Sequence, residues 1–418
     1  MTDRAVVVGS GPNGLAAAIE LARGGVEVTV LEAAERPGGA VATQELTLPG
    51  FRHDVFSAVY PAAAASPVFA RWPLEEHGLR WIHPRHCYAH PLAEGRAAVL
   101  SRDLGETAAS LDALHPGDGA AWTAFARPYL EHFGAWRELM LAGFPPVRGT
   151  LRTLAVHGLA GTLDVAKLLL MPASALAGRL FEHDGARAWL YGSAMHGDVP
   201  PSGAGSAIAA THLNLMGHAV GWPSPAGGAD RLAGALTGYL EALGGRVRTG
   251  APVTRVLSAR GRVAGVEVAG SEQLPARTVV ADVSPAGLLR LGGDALDGRY
   301  ARHLRAFRAG QATLKVDWAL GGPIPWAAPE VRGAGTVHVG GGEDEVLAAL
   351  APDTGGLHER PFLLLGQQSV ADPSRAPAGR HTAWAYTHGP HDADWAGQAE
   401  RHVERMEAQV ERFAPGFR

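Results

Sequence analysis

The 418-residue sequence holds one cysteine, Cys87, and only two lysines, Lys167 and Lys315, among its 37 basic residues. A lone cysteine excludes an intramolecular disulfide framework and suits a reducing compartment. No uninterrupted apolar run reaches the ~18 residues that a membrane-spanning helix needs. The nearest candidate, residues 165–181, is interrupted by Lys167, Pro172 and Arg179. Excess positive charge is lacking too, because 41 acidic residues leave a net charge of −4. No basic run carries interleaved aromatics, so the sequence predicts no nucleic-acid partner. Internal repeats and low-complexity tracts are missing. Residues 1–4 lead straight into an apolar strand pattern, leaving no room for a removable leader, which predicts a cytoplasmic protein. What remains, with 46% hydrophobic content, is a globular chain long enough for two domains.

The most informative stretch is residues 6–39. Val6-Val7-Val8 reads as a buried strand and delivers the chain to Gly9-Ser10-Gly11-Pro12-Asn13-Gly14, where backbone can approach a pyrophosphate closely. The helix that follows, about Leu15 to Arg23, offers free N–H groups to that anion. After Gly24-Gly25, a second strand from Val26 to Leu31 ends in Glu32, near the spacing at which an acid accepts ribose hydroxyls. A lone glycine motif is weak evidence in a chain with 55 glycines. Here it follows a strand, opens a helix with small Ala17 and Ala18 for close packing, and meets its acid at the right distance.

Downstream, the pattern divides the chain into four segments. Residues 1–85 form the first part of the nucleotide-binding domain, and 86–221 a helical insertion. Within the insertion, Asp103 and Glu106 form a capping box for a helix bearing Leu104, Ala108, Leu111 and Leu114. Trp122, Phe125, Tyr129, Phe133, Trp136 and Met140 make an aromatic stripe on one helical face, either plain core or a wall of an apolar tunnel, with Pro128 kinking or splitting the helix. Residues 222–300 return to βαβ character. There, a helix with Leu232, Leu236 and Leu240 closes at Gly244-Gly245, and strands follow at 253–257, 263–268 and 278–281. Residues 301–418 supply strands near 313–320, 335–339, 362–367 and 382–387, expected as a separate antiparallel sheet, then a helix at about 393–413. The fold class is therefore α/β: a discontinuous Rossmann-like domain with an inserted helical and antiparallel-sheet substrate domain.

Arg36-x-Gly38-Gly39 resembles the extension found after the acid in flavin-dependent amine oxidases and carotenoid desaturases, and simple NAD dehydrogenases lack it. The run from Gly11 to Leu15, Gly38-Gly39-Ala40-Val41, Leu48-Pro49-Gly50-Phe51, Tyr88 to Leu92, Pro223 to Gly228 and Thr382 to Tyr386 resemble the phytoene-dehydrogenase-like FAD oxidoreductases, most closely the pyridine-nucleotide-disulphide-oxidoreductase-domain-2 type, over essentially the whole chain. The resemblance implies non-covalent FAD. It places the pyrophosphate on the backbone of Gly9, Gly11 and Gly14, with Pro12 and Asn13 in the same turn. It also places ribose on Glu32 beside Ala33, the flavin along Gly38, Gly39, Ala40 and Val41, and adenine on the backbone of Val253. Amine oxidases usually carry arginine directly after the glycine doublet; Ala40 stands there instead, which favours the desaturase-like branch. Members of the family end in a glycine-rich strand and helix over the flavin, and nothing after Asp394 resembles it, so these 418 residues are expected to hold FAD weakly.

Lys315 is the sharpest catalytic candidate. Related amine oxidases place a lysine on the equivalent strand, holding a water near flavin N5, and a compact ammonium with a tunable pKa suits that task; the alternative is a lysine at a strand surface. His83, His86, Cys87 and His90 match no metal-ligand spacing, and His388, His391, Asp392 and Asp394 read as a polar loop, so no metal is expected. Gly340-Gly341-Gly342 precedes three acids, Glu343-Asp344-Glu345, which would repel a phosphate. Without a second nucleotide site, reoxidation by oxygen or a quinone is expected rather than by a resident NADPH. The sequence thus predicts an FAD-dependent dehydrogenase, desaturase or isomerase of a small apolar, polyene or lipid-like substrate. A flavin amine oxidase is the alternative, and a non-catalytic or truncated FAD-fold protein the alternative of another class. Residues 151–181, with Arg148, Arg152, Lys167 and Arg179, suit either ordinary core or peripheral contact with anionic lipid.

Overall fold

The strand Arg4–Val8 is buried along Ala5–Val8 because it is covered on both faces. Ala5 and Val7 pack toward the helices Pro12–Arg23 and Asp230–Ala242, and Val6 and Val8 toward the other side. This computed structural model describes residues 3–197, 199–351 and 357–418. Around the central strand runs a parallel sheet in the order Thr278–Ala281, Arg4–Val8, Glu27–Leu31, Arg246–Arg248. Of the strands expected in residues 222–300, only the last joins it. Val253–Ala259, Arg262–Val268 and Glu272–Pro275 form their own antiparallel sheet, whose Val266 and Val268 cover Val6, Val8 and Leu31. The helix Asp230–Ala242 ends as expected, with Gly244 at φ +87° and the N–H of Gly245 on the carbonyl of Leu240.

A second sheet has six strands in the order Ala312–Leu320, His381–Gly389, Leu363–Gly366, Ala334–Val339, His86–Pro91, Ala97–Leu100. The sequence predicted four of these as an antiparallel sheet and placed residues 86–100 in a helical insertion. Instead His86–Pro91 pairs in parallel with Ala334–Val339, and the sheet is mixed. The two extra strands escaped notice because both are buried on both faces and show no polar alternation. Side chains alternate across the sheet: Ala89, Val99, Val337, Leu365 and Ala385 face the helix Trp395–Glu411, whereas Tyr88, Leu100 and Leu364 face the inserted helices.

The aromatic stripe is core. Trp122 and Trp136 are fully buried and donate their indole N–H groups to His218 and His212, each at 3.0 Å. The helix continues through Pro128 and breaks at His132, giving Asp118–Glu131 and Phe133–Leu141. Asp103 caps Leu104–Asp112 by accepting from the N–H of Glu106 at 3.0 Å, but Glu106 reaches Ser101 Oγ rather than completing the box. In residues 144–170 the structure departs from ordinary core: Phe144, Leu151, Leu159 and Leu170 are 96%, 61%, 68% and 76% exposed.

Candidate functional site

Where the carboxyl ends of the parallel strands meet the glycine turn lies a cavity of about 780 Å³, the place where open α/β sheets bind ligands. Its walls include Gly9, Gly11, Pro12, Glu32, Ala33, Gly39, Ala40 and Val253, eight of the twelve residues that the sequence assigned to the cofactor. Asn13, Gly14, Gly38 and Val41 do not line it: Asn13 is exposed in the first turn of the helix Pro12–Arg23, and Gly14, Gly38 and Val41 are buried, with the Val41 N–H bonding the carbonyl of Gly38.

The glycines divide by role. A side chain at Gly9, which has φ +97°, would strike the carbonyl oxygen of Asp282 at 2.7 Å, and one at Gly14 would strike the carbonyl oxygen of Gly9 at 2.3 Å. Those two serve the chain's own packing. At Gly11 a Cβ would meet only an Asp282 carboxylate oxygen at 3.1 Å, so glycine here keeps the cavity open to a ligand. Gly38 combines φ +123° with a carbonyl 2.5 Å from its would-be Cβ, which fixes the second glycine pair as a tight turn beneath Ala40.

Glu32 is held in advance. One carboxylate oxygen accepts from Ser10 N–H at 2.9 Å and Ser10 Oγ at 2.6 Å, the other from Ala34 N–H at 2.9 Å. Burial works to raise this carboxyl, but the hydrogen bonds from Ala34 and Ser10 outweigh it and hold the group below the ordinary glutamate value. It is therefore an ionised acceptor at neutral pH. Ser10 also accepts from the N–H of Gly38 at 3.2 Å, so one hydroxyl ties Glu32 to the second glycine turn.

Asp282, at the end of Thr278–Ala281, accepts from the N–H of Gly14 at 2.8 Å and also lines the cavity. Arg290 is the one cation lining the cavity among the described residues. Sequence reasoning missed Ser10, Asp282 and Arg290. Asp282 was visible only as the polar residue ending a returning strand, the position that meets the glycine turn in a doubly wound sheet.

Beyond Val41 the chain enters the hairpin Thr43–Gln44 and His53–Asp54, which is latched to two other loops. Arg375, 1% exposed, donates to Asp54 and Asp372, each at 2.9 Å. Asp54 also accepts from Thr43 Oγ1 and Ala229 N–H, and Asp372 from Gly227 N–H. Beside the latch, Lys315 donates to both oxygens of Asp317 at 2.5 Å and sits 5.9 Å from the centroid of the Trp384 ring. His53 Nδ1 approaches Asp317 at 3.4 Å. Lys315 does not line the nucleotide cavity.

The remaining candidates take structural positions. His86 and His90 lie in a buried strand, and His90 bonds the carbonyl of Gly341 at 2.7 Å. Glu343 pairs with Arg187 at 3.1 Å and accepts from Tyr191. Asp394 caps the helix Trp395–Glu411. Among the described residues no group of three or more His, Cys, Asp or Glu is arranged to hold a metal ion.

The family described as flavin containing amine oxidoreductase matches residues 13–415. One component of the limonene dehydrogenase of Castellaniella defragrans is 32% identical over 127 residues, 30% of this chain and 22% of that protein. Pyridine nucleotide-disulfide oxidoreductase domain-containing protein 2 of Rattus norvegicus is 33% identical over 130 residues, 29% of this chain and 22% of its own length. These matches thus span less than a quarter of the relatives. An oxidoreductase from Methanosarcina mazei shares the fold with a TM-score of 0.68 at 17% identity, over 99% of this chain and 85% of that one. The chain belongs to the flavin containing amine oxidoreductase family, and FAD is the cofactor its cradle fits.

Proposed function

We propose that this member of the flavin containing amine oxidoreductases is an FAD-dependent dehydrogenase or desaturase of an apolar substrate. The observation that carries the reading is the cavity at the glycine turn, in which an open Gly11, a pre-oriented ionised Glu32 and Val253 line one surface. In this reading Glu32 accepts the ribose hydroxyls, the Gly11 turn receives the pyrophosphate, and Gly39 and Ala40 face the flavin. When bound, the flavin supplies the two-electron acceptor. The protein's part is to bind, orient and exclude water. Ser10 keeps Glu32 and Gly38 in fixed relation, and the Arg375 latch holds the hairpin that follows Val41.

Support for an apolar substrate comes from the relative named limonene dehydrogenase and from Ala40 in place of an arginine. The amine alternative is favoured by one observation, the Lys315 ammonium against Asp317 and Trp384. Under either reading Lys315 is the residue proposed to hold a water, with Asp317 fixing its position.

The test is an equilibrium titration with FAD followed by flavin fluorescence, and then anaerobic incubation of the loaded protein with cyclic and linear alkenes and with primary amines. Bleaching of the flavin by alkenes supports the dehydrogenase, and bleaching by amines alone supports the oxidase. A protein that takes up no FAD even at high concentration overturns both.

A further inference from the structure

The helix Val147–Leu168 turns much of its apolar surface outward. Its buried positions are Gly149, Thr153, Val165 and Leu168, two of them not apolar side chains of any size, while Leu151, Leu154, Leu159 and Leu163 are exposed. A surface helix normally turns its apolar stripe to the core. Leu151 and Leu154 lie on one face, then Gly158, at φ +65°, breaks the helix, and Leu159 and Leu163 resume the outward stripe one turn apart. Leu170, 76% exposed, continues it, and Phe144, 96% exposed, precedes it. Isolated exposed leucines need no explanation, but nine large apolar side chains exposed within residues 144–170 do.

We propose that this face docks on an anionic lipid surface. The charge around it decides the occupant. Residues 137–179 carry five basic side chains and two acidic ones within a chain whose net charge is −4. Both acids are answered locally, Glu138 by Arg152 at 2.5 Å and Asp164 by Lys167 at 2.7 Å. Arg148 and Arg179 have no acidic partner among the described residues. Exposed leucines in a segment that also carries exposed, uncompensated arginines fit the interface of a bilayer bearing anionic headgroups, with leucines in the acyl boundary and guanidinium groups among the phosphates. A second copy of the chain is a poorer fit, because a two-fold contact places the same patch on both sides and sets like charge against like. No helix in the described residues is long and apolar enough to cross a membrane, so the contact lies along the surface.

The experiment is co-sedimentation with vesicles of phosphatidylcholine alone and of phosphatidylcholine with phosphatidylglycerol, at low and high salt. It needs no flavin, so it succeeds or fails independently of the cofactor reading. A Leu159→Cys variant reports insertion directly. Cys87 is buried, and burial pushes its thiol up to about 12, so a solvatochromic label attaches to position 159 alone. We expect binding to anionic vesicles that falls with salt, a blue shift of the label on those vesicles, and at least about tenfold weaker partition for Arg148→Glu with Arg179→Glu. Leu159→Asp should also detach the protein while leaving its circular dichroism unchanged. Three outcomes overturn the proposal: protein left in the supernatant with anionic vesicles at low salt, undiminished binding of the charge-reversed variant, or a lipid-free dimer in analytical ultracentrifugation that Leu159→Asp dissociates.

Discussion

Replacing Arg375 by methionine would remove one cation and strand two buried acids. Arg375 is 1% exposed, and the side chains of Asp54 and Asp372 are 0% and 7% exposed, so neither carboxylate can recover its lost partner from bulk water. Each keeps neutral donors, Asp54 from Thr43 and Ala229, Asp372 from Gly227 and Ser374, but no counter-charge. Removing one member of a buried ion pair costs about 3–5 kcal/mol, mostly as the penalty of the charge left behind. Against a total stability of about 5–15 kcal/mol that is a large fraction. Urea unfolding followed by tryptophan fluorescence should show the midpoint fall accordingly. The mechanism has a sharper signature in the double variant: Asp54→Asn should destabilise the parent protein, yet be neutral or stabilising in the Arg375→Met background, because there it removes an unpaired charge. A loss below about 1 kcal/mol for Arg375→Met, or equal costs of Asp54→Asn in both backgrounds, would refute the reasoning. Because the latch carries the hairpin after Val41, the same variant should also weaken FAD binding.

Other predictions address the site and the pH response. Glu32→Ala should raise the dissociation constant for FAD about tenfold to a hundredfold, the value of a charge-assisted hydrogen bond of about 1.5–3 kcal/mol, and also lower the melting temperature, because the Ser10 and Ala34 donors lose their acceptor; wild-type affinity would place ribose elsewhere. Lys315→Met should leave FAD content intact and slow flavin reoxidation by oxygen, and an unchanged rate would reduce Lys315 to the counter-ion of Asp317. Burial depresses His90 to about 4, against 6.5 for a free histidine, so its contribution is complete above pH 6.5 and is lost as the pH falls from there toward 4, where the unfolded chain alone takes up the proton. The loss is about 3 kcal/mol for this one group, and His196, His212 and His218, depressed the same way, add to it. Melting temperatures should drop steeply across that window, and His90→Gln should flatten the drop.

The glycine turn and the acid Glu32 were legible because they lie within residues 6–39 and each has a local reason, a turn that needs glycine or a strand that ends in an acid. What completes the site was not. Asp282 bonds Gly14 across 268 residues of sequence, and Arg375 bonds Asp54 across 321. No periodicity links such pairs. The outward face of Val147–Leu168 illustrates a different limit: spacing reveals a stripe but not which way it points, since packing of Gly149 against Leu139 turns the helix over. The strands at 86–100 were hidden for the opposite reason, burial on both sides having erased the alternation by which a strand is recognised.

The parallel seam between His86–Pro91 and Ala334–Val339 also sets a timetable for biosynthesis. A chain emerging at roughly 5–20 residues per second keeps its early apolar strand waiting on the order of 10–50 s before the partner leaves the ribosome. The first strand, Arg4–Val8, waits similarly for Thr278–Ala281. Through that interval the nascent chain exposes strand edges that only its final third can cover, so its yield in a cell should depend on holdase chaperones and on slower, cooler synthesis far more than its finished stability would suggest.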